Sequence, residues 1–182
     1  MKVVLVMLVV TAALLIYQTS APVRITENMI FSYKHKMLLG EAETVASSLS
    51  SSQNLTSQGA EEIMSVLGTR DMGQVVITDG SGVVLYSSNL SVSPVGSCTL
   101  YPEIVSALRG NDAFRCNFTG DAFVSRGAIP VMFGGDITGC VYMVEIDPEQ
   151  AALLTSIQNN AVRTSMITVL VSLILYVVFG LV

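Results

Sequence analysis

Residues 75–88 read VVITDGSGVVLYSS. Val75–Thr78 and Val83–Tyr86 are short β-branched and aromatic runs, and the Asp-Gly-Ser-Gly between them is turn chemistry. The stretch therefore predicts two strands joined by a tight hairpin. Asp79 can accept hydrogen bonds from the backbone ahead of it, and Gly80 and Gly82 can take positive φ. All three are read as turn residues, and Asp79 as a structural rather than a catalytic acid.

Working outward, the hairpin lies in a polar segment fenced by two apolar blocks. The chain has 182 residues, 51% hydrophobic and 13% charged. An ordinary soluble domain carries about twice that share of charge. Val3–Tyr17 and Met166–Val182 contain no charged residue and explain the excess. At ~1.5 Å per residue the first is short for a ~30 Å hydrocarbon core unless Gln18 to Ala21 are included, whereas the second can just span it. The first is read as an uncleaved anchor, with a signal peptide as the rival, because Pro22 would follow a cut after Ala21. The expected organisation is a span over 1–21, a domain over 22–160 and a second span over 161–182. No basic residue follows the second block, so the chain is expected to be the N-terminal piece of a longer protein, with a complete small membrane protein as the alternative. Lys2, Arg24 and Arg163 give little charge bias. The acidic, sheet-forming middle is placed outside the cytoplasm, making a two-pass membrane protein. Net charge is −5 and no long Lys/Arg cluster is present, which argues against nucleic-acid binding.

Elements follow from periodicity. Phe31, Leu38, Ala42, Val45 and Leu49 share one face of a long helix over 19–52, weakened at Gly40 and fraying in the serine run Ser47–Ser52. Gly59–Leu67 is a second, shorter helix. Tyr101–Arg109 is a third, stopped by Gly110. Ala113–Thr119 alternates, with Phe114, Cys116 and Phe118 on the half-buried side and Arg115 and Asn117 facing solvent. Ala122–Met132 and Ile137–Ile146 are the last strands, joined by a turn at Gly134-Gly135-Asp136. Asp147 and Pro148 suit the N-cap and first position of a helix that runs into the second apolar block. Five strands with attached helices make an α+β domain.

The segments VVITDGSGVVLYSS, EIVSALRGND and AIPVMFGGDITGCVYMVEID, in this order, resemble the extracytoplasmic PAS-like, or Cache, sensor domains of bacterial sensor histidine kinases, including those of the WalK type. The resemblance covers nearly the whole chain, spans included. It implies a five-stranded antiparallel sheet with a long N-terminal helix, flanked by two transmembrane helices. It also implies a sensory input module that passes a signal across the membrane by helix movement; a second copy is the expected partner, because the long first helix can pack against its twin. The kinase region of that family is absent from these residues. The single histidine, His35, lacks the residues that surround a phospho-accepting histidine and is read as a surface residue. No catalytic residue and no cofactor are expected in this chain, although the parent protein would be a kinase. The alternatives are the input domain of a chemoreceptor or cyclic-dinucleotide enzyme, or a non-sensory membrane protein that binds another protein.

In such domains a cavity beside the sheet can hold small anions or amino acids. Arg109, Arg115 and Arg126, with Tyr142, are the candidate ligand-binding residues here, since arginine suits carboxylates; the alternation argues that Arg115 faces solvent instead. A small-molecule or cell-envelope ligand and membrane lipid are the expected partners. Cys98, Cys116 and Cys140 form no metal motif and no even disulfide framework. One Cys98–Cys116 bridge is the pairing left open. Asn54, Asn89 and Asn117 open glycosylation sequons, which carry no information in a bacterial chain.

Overall fold

The computed structural model describes residues 2–51, 55–68 and 73–180, with side chains from residue 9 to residue 178. Ser52, Asn54 and the last two residues of the second apolar block lie outside the described residues. The chain divides into two compact units, residues 31–148 and residues 1–30 with 149–182.

The first unit is built on a sheet. Its strands are β1 (Gln74–Asp79), β2 (Val84–Ser87), β3 (Ala113–Phe118), β4 (Phe123–Phe133) and β5 (Asp136–Asp147). They form one five-stranded sheet in the order β2-β1-β5-β4-β3, antiparallel at every pairing. The β1–β2 hairpin is the one read from residues 75–88. Gly134 and Gly135 turn β4 into β5 with φ of 62° and 99°, the double positive φ of a two-residue hairpin loop. Pro130 sits in β4 beyond the last β3 pairing, Ala113 with Ala128, where β4 has one neighbour and proline is tolerated.

Both faces of this sheet are covered, which is why β1 reads as a continuous apolar run rather than an alternation. On one face lie Val75, Ile77, Ile129, Val131, Val141 and Met143. They pack under Leu38, Ala42, Val45, Ala46 and Leu49 of helix α1 (Lys2–Leu49) and under Ala60 and Met64 of helix α2 (Ser57–Leu67). Thr56 caps α2 by accepting from the Gly59 amide at 3.2 Å. On the other face Val76, Val84, Ala128, Cys140 and Tyr142 pack under Ile104 and Ala107 of the short helix α3 (Pro102–Ala107).

Two side chains expected on the core side are not buried. Phe31 is 47% exposed, its ring meeting Phe114 edge-on at 5.3 Å. Phe118 is 37% exposed. It ends β3, the edge strand, and its ring meets that of its cross-strand partner Phe123, with centroids 4.9 Å apart.

In the second unit the start of α1 and helix α4 (Pro148–Gly180) lie side by side. The Thr11 hydroxyl hydrogen-bonds the Tyr176 hydroxyl at 3.0 Å, and Thr168 donates to Gln18 Oε1 at 3.3 Å. Pro22 stands inside α1 and removes one backbone donor there. Among the described residues, Pro148–Val178 is the one segment long and apolar enough to cross a membrane.

Candidate functional site

Strand register assembles the polar site. Arg115 pairs with Arg126, Arg126 with Val144, and Val144 with Gln74. Cross-strand partners share a face, so these four side chains form one row across four strands. Tyr142 lies two residues from Val144 on β5 and points to the same side. This is the face that carries α3. Tyr101, just before α3, lays its ring against Tyr142 at 5.3 Å with planes 30° apart. Glu103, in the first turn of α3, meets Arg115 at 3.2 Å. With Val92 and Pro102 these residues enclose a cavity of about 350 Å³.

The charges in this cavity are unequal in their partners. The Glu103 side chain is only 6% exposed and is paired, whereas the Arg115 side chain is 55% exposed. Arg126 is half-buried and, among the described residues, makes no ion pair. Burial pushes the Tyr142 phenol up to about 12, against the pull of the Arg126 guanidinium. Tyr142 therefore stays a neutral hydroxyl donor at physiological pH. A guanidinium fork, a phenol donor and two aromatic walls suit a carboxylate with a small apolar body.

Of the four expected ligand residues, Arg115, Arg126 and Tyr142 are brought together here. Arg115 does not simply face solvent, since its guanidinium reaches Glu103 at the cavity wall. Arg109 is exposed at the end of α3 and does not line the cavity. Gln74, Val92, Tyr101 and Glu103 were not legible as site residues, because loop and helix placement brings them in. A larger recess of about 500 Å³ lies in the other unit, lined by Leu15, Ile16, Met166 and Leu170 among others. It holds no charged side chain, and the hydroxyls of Thr19 and Ser165 are the polar side-chain groups among its lining residues.

A second polar cluster joins α1 to β5. Lys34 lies on the core stripe of α1, four residues before Leu38, and its side chain is 3% exposed. Its Nζ donates to Glu145 Oε1 at 2.7 Å and Asp147 Oδ2 at 2.6 Å. Burial works against the charged amine, but the hydrogen bonds to Asp147 and Glu145 outweigh it and raise its pKa. The cluster ties α1 to the last residues of β5, immediately before Pro148. A lysine on an otherwise apolar stripe was the available signal.

The hairpin turn is held by Asp79, whose Oδ1 accepts from the Ser81 and Val83 amides at 2.8 and 2.9 Å. Gly82 has φ of 84°, whereas Gly80 does not take positive φ. Cys98, Cys116 and Cys140 are all free thiols. Cys98 bridges to Val83 beside β2, and Cys116 lies on β3. β2 and β3 are opposite edges of the sheet, roughly 19 Å apart at ~4.8 Å per strand, and Cys98 lies outside β2, so the pair is far beyond disulfide reach. His35 is exposed and meets the Phe114 ring edge-on at 4.9 Å.

No protein-family model and no curated protein matches the chain in sequence. Solved structures do match in fold. An extracellular ligand binding receptor from Desulfohalobium retbaense aligns with TM-score 0.55 and 15% identity, over 78% of this chain and 27% of that one. The sensor domain of the Vibrio cholerae histidine kinase DctB aligns at 0.51 and 19%, over 79% and 59%. The ligand binding domain of the Pseudomonas aeruginosa amino acid chemoreceptor PctC, in complex with GABA, aligns at 0.53 and 17%, over 74% and 64%. The chain thus spans from about a quarter to just under two thirds of these structures' lengths. With its long N-terminal helix and five-stranded antiparallel sheet, it has the PAS-like, Cache fold of receptor sensor domains.

Proposed function

We propose that the chain is the membrane-anchored, extracytoplasmic input module of a two-component sensor histidine kinase, with spans over 1–21 and 161–182 and the sensor domain over 22–160. The observation that supports this reading is the sheet cavity, where half-buried Arg126, which makes no ion pair among the described residues, lies beside the aromatic walls of Tyr101 and Tyr142. A small anionic ligand, a carboxylate above all, enters there. It acts on the signal only by binding two states of the domain unequally. The Lys34 cluster joins α1 to the end of β5, so a change in the sheet reaches the roots of both long helices. Two copies pair along α1, and lipid surrounds the apolar ends. A chemoreceptor input domain is the second reading, favoured by the fold shared with PctC.

The test is the thermal midpoint of the purified chain in detergent micelles, read against carboxylates, amino acids and the matching neutral amides. A ligand at 100 times its Kd raises stability by about 2.7 kcal/mol. Carboxylates are expected to raise the midpoint and amides not, with Arg126→Gln removing the effect. Equal response to acids and amides, or none to either, overturns the anion site.

A further inference from the structure

Arg115 and Arg126 are direct cross-strand partners, both on the cavity wall. Two like charges in that relation repel each other. Glu103 reaches from α3 to Arg115 at 3.2 Å, and its side chain is almost fully buried. A buried carboxylate in contact with one guanidinium cancels it locally. Two arginines and one glutamate leave the cavity one net positive charge, centred on Arg126. From this we infer that Glu103 is a specificity-determining residue: by neutralising Arg115 it restricts the cavity to a ligand carrying a single carboxylate. This rests on the reading above that the cavity takes an anion.

A second carboxylate on the ligand would face an already paired Arg115 and the Glu103 carboxylate. It would have to shed water without gaining a free cation, which is costly in a partly enclosed site. Removing the charge of Glu103 frees Arg115 and sets two guanidinium groups side by side, the arrangement that suits a dianion. Gln keeps the size of Glu and can still donate or accept at the same place.

The experiment uses isosteric probes, succinamate with one charge and succinate with two, titrated calorimetrically into the full chain in micelles. The wild-type chain is expected to prefer succinamate at least tenfold. Glu103→Gln is expected to move the succinate-to-succinamate affinity ratio at least tenfold toward succinate. The double variant Glu103→Gln with Arg115→Gln again has one free cation and should return to the monoanion. Arg115→Gln alone leaves Glu103 beside Arg126 with no net charge, and should lose succinamate binding at least tenfold. This last arm keeps the inference testable if Glu103→Gln does not fold. A ratio unchanged in Glu103→Gln, or Arg115→Gln binding succinamate like the wild type, overturns the inference while the anion site stands. Binding of neither probe by the folded wild-type chain overturns both.

Discussion

At the scale of single residues, the hairpin turn separates side-chain from backbone demands. Gly82 has φ of 84°, and a Cβ built there would approach Leu100 Cδ2 to 2.7 Å and the Thr99 carbonyl to 3.3 Å. Gly82→Val is therefore expected to cost more than about 1 kcal/mol, since a β-branched residue is strained at positive φ. Asp79→Asn keeps the Oδ1 acceptor that serves Ser81 and Val83, and should cost well under about 1 kcal/mol. Denaturant midpoints of the two variants check the ranking. The reverse order would mean that the Asp79 charge, not its geometry, holds the turn. Tyr142 and Lys34 predict the alkaline limb of stability. Each has a folded pKa above its ordinary value, so each contribution is complete below pH 10 and is lost as pH rises through the folded pKa. For Tyr142 the loss amounts to about 2–3 kcal/mol between pH 10 and about pH 12. Unfolding curves from pH 8 to 12 should be flat to pH 9 and then fall, with a shallower fall in Tyr142→Phe. An identical fall in Tyr142→Phe would remove Tyr142 from this account.

At the scale of elements, burial differs between the ends and the middle of the sheet. Met143 is fully buried in central β5, and Phe118 is more than a third exposed on edge strand β3. Met143→Ala is expected to cost about 2–5 kcal/mol. Phe118→Ala should cost only about 1 kcal/mol, mostly its stacking on Phe123. Thermal midpoints of the two variants decide it, and equal losses would mean that β3 is covered. Register is the subtler element property. The two-residue turn sets Phe133 opposite Asp136 and Met132 opposite Ile137. Continued without a break, that register would place Arg126 opposite Met143, a core residue of the face under α1. A bulge between Val131 and Met132 shifts the pairing by one, so Arg126 meets Val144 instead. Because side chains alternate with period two, that single shift aligns Arg126 with the row facing the cavity. The site thus depends on a local irregularity that no residue between 122 and 146 announces.

At the scale of the whole molecule, the proposed topology makes Cys98 a native reporter. It is exposed, whereas Cys140 is buried and burial pushes its thiol up to about 11. A membrane-impermeant maleimide added to intact cells should label Cys98 and leave Cys140 unreacted until the protein unfolds. Labelling of Cys98 only after lysis would overturn the extracytoplasmic placement. Much of the architecture was determined by the sequence alone. Local chemistry sufficed for the β1–β2 hairpin, the Gly134-Gly135 turn and the stripe Leu38, Ala42, Val45 and Leu49. Each depends on residues a few positions apart, through allowed φ, side-chain period and turn hydrogen bonds. The apolar composition of the two ends is local in the same sense. The site was not. Arg126, Tyr142 and Glu103 were recruited from β4, β5 and α3 by pairing and packing across the chain, and Arg109, equally basic in the sequence, was left on the surface at the end of α3. Phe118 was exposed by its place on an edge strand, and the Cys98–Cys116 pairing was ruled out by their places on opposite edges. Lys34 was buried only because Glu145 and Asp147, more than a hundred residues away, were folded against it. Periodicity assigns a residue to a face of its own element. Which neighbour that face meets, and whether a charge there is paired, depends on long-range register and docking, and these were decided by the tertiary structure.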